Sequence, residues 1–159
     1  MSAVGMLALI TTLDSFAAGP GQARRTVTSA VFPHMDAALG YLRSAEQELK
    51  QGEPKFAGHR ISAMKHTEAA IVDLRKGMDE YLAHHPGTTR SGVLPAPPPE
   101  EGARFPHMEG ALKLLQQAEA ELSEAAKLYN GQRVEGLAET RAAVSEIQTG
   151  LREVQAGGR

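Results

Sequence analysis

Apolar residues recur every three or four positions along most of this chain. In the first such segment, residues 33–51, the recurring apolar positions are Met35, Ala38, Leu39, Leu42, Ala45 and Leu49. This spacing aligns them along one side of a helix. Pro33 suits a first helical turn, and Gly52 followed by Pro54 marks a stop. The pattern therefore predicts an amphipathic helix that ends in a turn.

Three further apolar stripes follow the first. The second helix is predicted from Ile61, Met64, Ile71, Leu74, Met78 and Tyr81. The third is predicted from Met108, Ala111, Leu112, Leu115 and Leu122, and the fourth from Val134, Leu137, Val144, Ile147, Leu151 and Val154. Asn130-Gly131 predicts the turn between the last two. Alternating strand patterns are almost absent, so the sequence predicts an all-α fold.

The stripes belong to an internal repeat. Phe32-Pro33-His34-Met35 recurs as Phe105-Pro106-His107-Met108, 73 residues later. Over residues 32–80, 18 of 49 positions carry the same residue at this offset, without a gap. A constant offset over such a length predicts the duplication of one helical hairpin.

The repeat predicts how the chain is organised. Hairpins 32–85 and 105–156 are joined by linker 86–104, whose Pro95-Ala96-Pro97-Pro98-Pro99 favours extended polyproline structure. A lone hairpin exposes half of its apolar stripe, so residues 27–158 are predicted to form one up-down-up-down four-helix bundle. The alternative is an open pair of hairpins that closes only by dimerising. The linker is long enough to cross the bundle end or to run along its side.

Residues 1–23 have a different character. The run from Val4 to Ile10 is too short to span a bilayer, which takes about 20 apolar residues, but it has the length of the core of a secretory signal. Small residues at 15–17 and 21–23 suit signal cleavage, although no Lys or Arg precedes Arg24. We expect a cleaved signal peptide and a periplasmic or secreted protein. The alternative is a disordered tail or a short helix packed on the domain.

Composition narrows the function classes. The chain has 159 residues, a formal net charge of −2, and neither Cys nor Trp. Without Cys there is no thiol catalysis, Cys-ligated zinc or iron–sulfur site. The near-zero charge argues against nucleic-acid binding, and the polar outer faces argue against binding to membranes. Common catalytic motifs are absent, and no Glu precedes a His by three residues as in di-iron carboxylate bundles. The sequence therefore predicts a protein that is not an enzyme.

Histidines are the remaining candidate ligands. His34 and His107 occupy the same place in the two repeats. In an up-down-up-down bundle their helix starts share one end with His84 and His85, which would gather four of the six histidines there. Neutral imidazole binds divalent transition metals such as copper, zinc and nickel. The alternative is that Phe-Pro-His-Met simply starts each helix, with Phe packing at its entry.

His59 and His66 form a different pair. They lie seven residues apart, about 10.5 Å along a helix, which is too far to chelate one ion readily. Relative to the predicted stripe both fall on the outer face, in a row continued by Asp73 and Glu80. Gln132 and Glu139 occupy the equivalent places in the second repeat. We expect a solvated polar face there, with metal binding as the alternative.

The segment Gly58-His59-Arg60-Ile61-Ser62-Ala63-Met64-Lys65-His66-Thr67-Glu68-Ala69-Ala70 resembles the repeat of the small metal-binding proteins of bacterial periplasms. It also resembles a broader set of secreted bacterial helical-hairpin proteins. The resemblance extends over about residues 32–154. It implies binding of divalent metals, copper among them, through surface histidines, and His34, His59, His66 and His107 match motif positions.

Two main hypotheses follow for function, ahead of a third in which the core of the bundle holds an apolar or haem-like ligand. The first is a small non-enzymatic extracytoplasmic bundle that binds a divalent metal through His34, His59, His66, His84, His85 and His107. The second is a cofactor-free structural or protein-interaction module, whose partner is another protein or a second copy of the chain.

Overall fold

The computed structural model describes residues 32–87, 103–129 and 131–157, and within these residues the chain is helical with no strand. The four helices are α1 (Pro33–Gln51), α2 (Ala57–His84), α3 (Pro106–Glu124) and α4 (Gln132–Gly157), and a single 3₁₀ turn, Pro54–Phe56, precedes α2. The predicted signal segment 1–23 and most of the predicted linker lie outside the described residues. We refer to α1–α2 as hairpin 1 and to α3–α4 as hairpin 2.

The apolar stripes of α1 and α3 are confirmed as core. Met35, Leu42 and Leu49 are fully buried in α1, as are Met108 and the equivalent leucines of α3. Both helices begin at a proline, and the phenylalanine before each is also buried. The sequence pattern therefore places these two helices correctly.

The predicted stripes of α2 and α4 are confirmed in part. The buried residues among them are Ile71, Leu74 and Met78 in α2 and Val144, Ile147 and Leu151 in α4. Ile61 and Val134, both assigned to the core, are 48% and 57% exposed. The rest of the buried face is built from small residues at equivalent positions of the two helices: Ala63, Thr67, Ala70 and Gly77 in α2, and Gly136, Thr140, Ala143 and Gly150 in α4. Small side chains allow close approach, because a Cβ on Gly77 or on Gly150 would lie 3.0 Å from the Cβ of Gln132 or of His59.

The predicted order of helix directions is wrong. The most extensive packing joins α1 to α3 and α2 to α4. His34, at the start of α1, contacts Glu121 near the end of α3, and His107, at the start of α3, contacts Glu48 near the end of α1. The helices α1 and α3 are therefore antiparallel, whereas an up-down-up-down bundle would make them parallel. The observed order is up-down-down-up.

Aromatic contacts mark the two ends of the bundle. At one end Phe32 packs edge-on against Tyr81, with ring centroids 5.2 Å apart, and against Tyr129 at 5.8 Å. At the other end Phe56 packs edge-on against Phe105 at 5.1 Å. The end of α2 and the start of α3 therefore lie at opposite ends of the bundle.

Contacts between the hairpins are reciprocal. The contact of His34 with Glu121 becomes that of His107 with Glu48 when each residue is replaced by its equivalent 73 positions away. Within the hairpins, Arg60 donates to the Leu49 carbonyl as Arg133 does to its equivalent, Leu122. When residue i of one hairpin contacts residue j of the other, and the equivalents of i and j are also in contact, the two hairpins are related by a twofold axis. This arrangement explains the antiparallel pairing, since each hairpin presents the same face to the other.

Among the described helices, none is both long enough and apolar enough to cross a membrane.

Candidate functional site

Two histidine–glutamate pairs join α1 to α3. The imidazole Nδ1 of His34 donates to Glu121 Oε2 at 2.8 Å, and Nδ1 of His107 donates to Glu48 Oε2 at 2.9 Å. Each histidine lies in the first turn of its helix, and each glutamate lies in the last turn of the antiparallel partner. Each pair therefore connects the two hairpins at one end of this interface.

Two more histidines join α2 to α4. His66 Nδ1 donates to Glu139 Oε2 at 2.6 Å. Two helical turns away, both ring nitrogens of His59 are engaged, with Glu146 Oε2 at 2.8 Å from Nδ1 and Glu153 Oε2 at 3.0 Å from Nε2. Donation from both nitrogens requires the protonated imidazolium. The hydrogen bonds to Glu146 and Glu153 accordingly raise the pKa of His59 above its ordinary value of 6.5.

The predicted gathering of four histidines at one end is wrong. His34 lies beside the end of α2, where Phe32 packs on Tyr81 and Tyr81 stacks on His85 with centroids 3.9 Å apart. His107 lies beside Glu48, which is 14 residues from His34, or about 21 Å along α1. The antiparallel direction of α1 and α3 separates the two repeat histidines, so they cannot share one ion.

The expectation of a solvated face at His59 and His66 is also wrong. Their side chains are 28% and 35% exposed and line the edge of the α2–α4 interface. The small residues of α2 explain the error, because a count of large apolar residues leaves Ala63, Thr67 and Ala70 out of the buried face beside these histidines. The signal was present in the sequence: Glu139, Glu146 and Glu153 recur at the seven-residue spacing that separates His59 from His66.

His84 and His85 have different partners. Nδ1 of His84 donates to the backbone carbonyl of Glu80 at 2.7 Å, and Nδ1 of His85 donates to that of Tyr81 at 2.8 Å. In the neutral ring this arrangement fixes the tautomer and leaves Nε2 with a lone pair. Across residues 32–87, 103–129 and 131–157, no three His, Asp or Glu side chains converge as a metal site.

Equivalent positions of the α2–α4 interface differ in charge at one place. Asp73 is the equivalent of Glu146, and Gln132 is the equivalent of His59. The twofold relation of the hairpins therefore puts an amide at the position where Glu146 has an imidazole. Partial burial, with the nearby carboxylates of Glu135 and Glu139, raises the pKa of Asp73 above its ordinary value of 3.8. One half of the α2–α4 interface therefore has an imidazole between its carboxylates, and the other half has a neutral amide.

Neither a family model, nor a curated protein, nor a solved structure matches this chain.

Proposed function

We propose that this chain acts as a cofactor-free helical module with a structural or protein-interaction role and without a catalytic centre. One observation carries the proposal: His34, His59, His66 and His107 each pair with a glutamate of the other hairpin. These pairs are distributed along both interfaces between the hairpins. Their geometry suits holding two halves together rather than converging on a bound ion.

The same contacts weigh against metal binding as the main role of these residues. A histidine coordinates a metal through an unprotonated ring nitrogen. At His59 both nitrogens face carboxylates, which stabilise the protonated ring. A metal would therefore have to displace a proton and at least one glutamate.

The proposal includes the origin and the location of the protein. Duplication of one hairpin is supported by the 18 identities among 49 positions and by the reciprocal contacts of His34 and His107. Export to the periplasm or the medium is supported by the apolar run from Val4 to Ile10. Mass spectrometry of the exported protein would locate the cleavage site, and detection of uncleaved intracellular chain alone would contradict export.

Thermal unfolding with and without metal tests the proposed role. The double variant His34→Gln/His107→Gln should lose about 1 kcal/mol of stability in metal-free buffer at pH 6, since each partly exposed pair contributes up to about that much. The control variant His84→Gln, whose exposed ring bonds only a carbonyl of its own helix, should keep its stability. Copper, zinc and nickel ions should leave the melting temperature of the wild type unchanged. The proposal fails if a metal ion raises that temperature, and if His34→Gln/His107→Gln abolishes this rise without lowering the stability in metal-free buffer.

A second candidate function, weak metal binding, is favoured by one observation at the end of α2. The Nδ1 atoms of His84 and His85 are bound to backbone carbonyls, and Glu80 lies one turn before His84. Calorimetric titration with Cu(II), Zn(II) and Ni(II) would detect such a site. Heat that disappears in His84→Ala/His85→Ala but persists in His34→Ala/His107→Ala would support it, and the absence of heat would rule it out.

A further inference from the structure

One exposed stripe of α2 carries opposite charges at matching positions on the two sides of its central residue. Lys65, Glu68, Val72, Arg75 and Asp79 follow one another at steps of three or four residues, and all five are exposed. Val72 is 60% exposed. Lys65 and Asp79, of opposite charge, each lie seven residues from it, or about 10.5 Å along the axis. Glu68 and Arg75, also opposite in charge, lie four and three residues from it.

This stripe complements itself when its direction is reversed. If a second α2 lies antiparallel with Val72 against Val72, Lys65 faces the second copy's Asp79. In the same arrangement Glu68 faces the second copy's Arg75. Twofold symmetry repeats both pairs, giving four attractive contacts around an apolar centre. Among the described residues, Lys65, Glu68 and Arg75 form no salt bridge that such a contact would have to break.

The surface beside the stripe is an open groove. A cleft of about 540 Å³ between α1 and α2 is lined by the acidic Glu46 and Glu68, by the basic Arg43 and Arg75, and by Val72. In hairpin 2 the positions equivalent to Glu46 and Glu68 hold Glu119 and Arg141, whose side chains form a salt bridge at 2.7 Å. In hairpin 1 both positions are acidic, and Glu46 instead bonds Lys50 of its own helix. The groove therefore carries both charges beside Val72, and among the described residues its Glu68 has no salt-bridge partner within the chain.

The equivalent stripe of α4 does not have this property. Its residues are Ala138, Arg141, Ser145, Gln148 and Arg152, all exposed. Reversing its direction about Ser145 places Arg152 opposite Ala138 and Arg141 opposite Gln148, so no pair of opposite charges forms. The self-complementary pattern is therefore a property of α2 and does not follow from the repeat.

We propose that this chain associates with a second copy through an antiparallel α2–α2 contact whose twofold axis passes at Val72. The inference rests on the proposed interaction role and names its partner. A single helix–helix contact is small, so the dimer is expected to be weak and salt-sensitive.

Sedimentation equilibrium of the full chain at low salt tests this proposal. Glu68→Arg and Arg75→Glu each place like charges opposite one another at two sites, and each should raise the dissociation constant about tenfold. The double variant Glu68→Arg/Arg75→Glu should return it to near the wild-type value, because both facing pairs are again opposite in charge. Val72→Asp should abolish the dimer. The matched α4 variants Ser145→Asp and Gln148→Glu should leave it unchanged.

Two outcomes overturn the proposal. One is a wild-type chain that stays monomeric up to about 1 mM, well above the dissociation constant of a weak complex. The other is a double variant that dimerises no better than either single variant. Neither outcome affects the proposed cofactor-free role, which fails only if metal stabilises the fold through the paired histidines.

Discussion

His66 Nδ1 lies 2.6 Å from Glu139 Oε2, and these two residues occupy the same position of the two repeats, 73 residues apart. Equivalent positions can meet only where the twofold axis that relates the hairpins passes between them. The axis therefore crosses the α2–α4 interface at this pair. Two identical hairpins would place two imidazoles or two carboxylates here, whereas this chain places one of each.

The axis pair predicts a charge-swap rescue. His66→Glu would place two carboxylates in contact and should lower the free energy of unfolding by about 0.5–1 kcal/mol at pH 6. Glu139→His should also destabilise, because it replaces the imidazole–carboxylate pair with two imidazoles. The double swap should recover most of the loss, since the two sites have equivalent surroundings. Chemical denaturation of the four proteins gives the coupling directly, and purely additive losses would show that the residues do not interact.

A second prediction concerns pH. The pKa of His59 is raised by its hydrogen bonds to Glu146 and Glu153, so the folded state binds the proton more tightly than the unfolded chain does. Its contribution to stability is fully present below the ordinary pKa of 6.5 and is lost as the pH rises through the raised value. His59→Gln copies the residue at the equivalent position, Gln132, and should remove this dependence.

Unfolding free energies measured from pH 5 to pH 9 would show the effect of His59 as the difference between wild type and variant. That difference should shrink with rising pH. A difference that stays constant over the range would mean that the imidazole is not stabilised in its charged form.

The close approach of α2 and α4 predicts that replacing either of two interface glycines by alanine destabilises the fold. Gly77→Ala and Gly150→Ala would each place a Cβ 3.0 Å from a side-chain Cβ of the facing helix. Each should cost about 1–3 kcal/mol, as overpacking does. A Cβ added to Gly58, which lies in α2 like Gly77, would have no atom within 4 Å. Gly58→Ala should therefore be neutral or stabilise the fold by up to about 1 kcal/mol. Thermal melts would compare the three, and equal effects would argue against tight helix contact.

Asp73 and Glu146 should respond oppositely to neutralisation. Burial and the carboxylates of Glu135 and Glu139 raise the pKa of Asp73, so its contribution becomes unfavourable as the pH rises above the ordinary 3.8. Asp73→Asn should therefore stabilise at neutral pH, by about 0.5 kcal/mol or less because the group is screened by solvent. Glu146→Gln removes a partner of His59 and should destabilise at pH 6. Destabilisation by both variants would contradict the charge asymmetry of this interface.

The sequence predicts some elements of this fold well and others poorly, for physical reasons. The stripes of α1 and α3 are made of Met and Leu, whose burial follows from their size and hydrophobicity. The buried faces of α2 and α4 combine large apolar residues such as Leu74 and Ile147 with Ala, Gly and Thr. Counting large apolar residues misses the small ones and wrongly adds Ile61 and Val134. Burial there is decided by how closely the helices approach, which hydrophobic periodicity does not report.

The sequence does not determine whether equivalent helices of the two hairpins pack parallel or antiparallel, for a different reason. An offset of 73 residues identifies equivalent positions, but equivalent helices can pack either parallel or antiparallel, and a long linker permits both. Glu48 and Glu121 are identical at this offset, as are His34 and His107. The reciprocal His–Glu pairing can therefore be predicted from the sequence if α1 and α3 are taken as antiparallel. The prediction that the histidines gather at one end assumed instead that these two helices are parallel.

The distance between residues 34 and 107 tests the account most directly. Because the chain contains no cysteine, His34→Cys/His107→Cys introduces the only two thiols for nitroxide labels. Pulsed electron spin resonance should give a separation above about 20 Å, since the two positions lie near opposite ends of antiparallel helices. Labels at 34 and 121 provide the short reference, near the spacing of packed helices of about 10 Å. A 34–107 distance as short as this reference would restore the single histidine cluster and contradict the antiparallel pairing of the two hairpins.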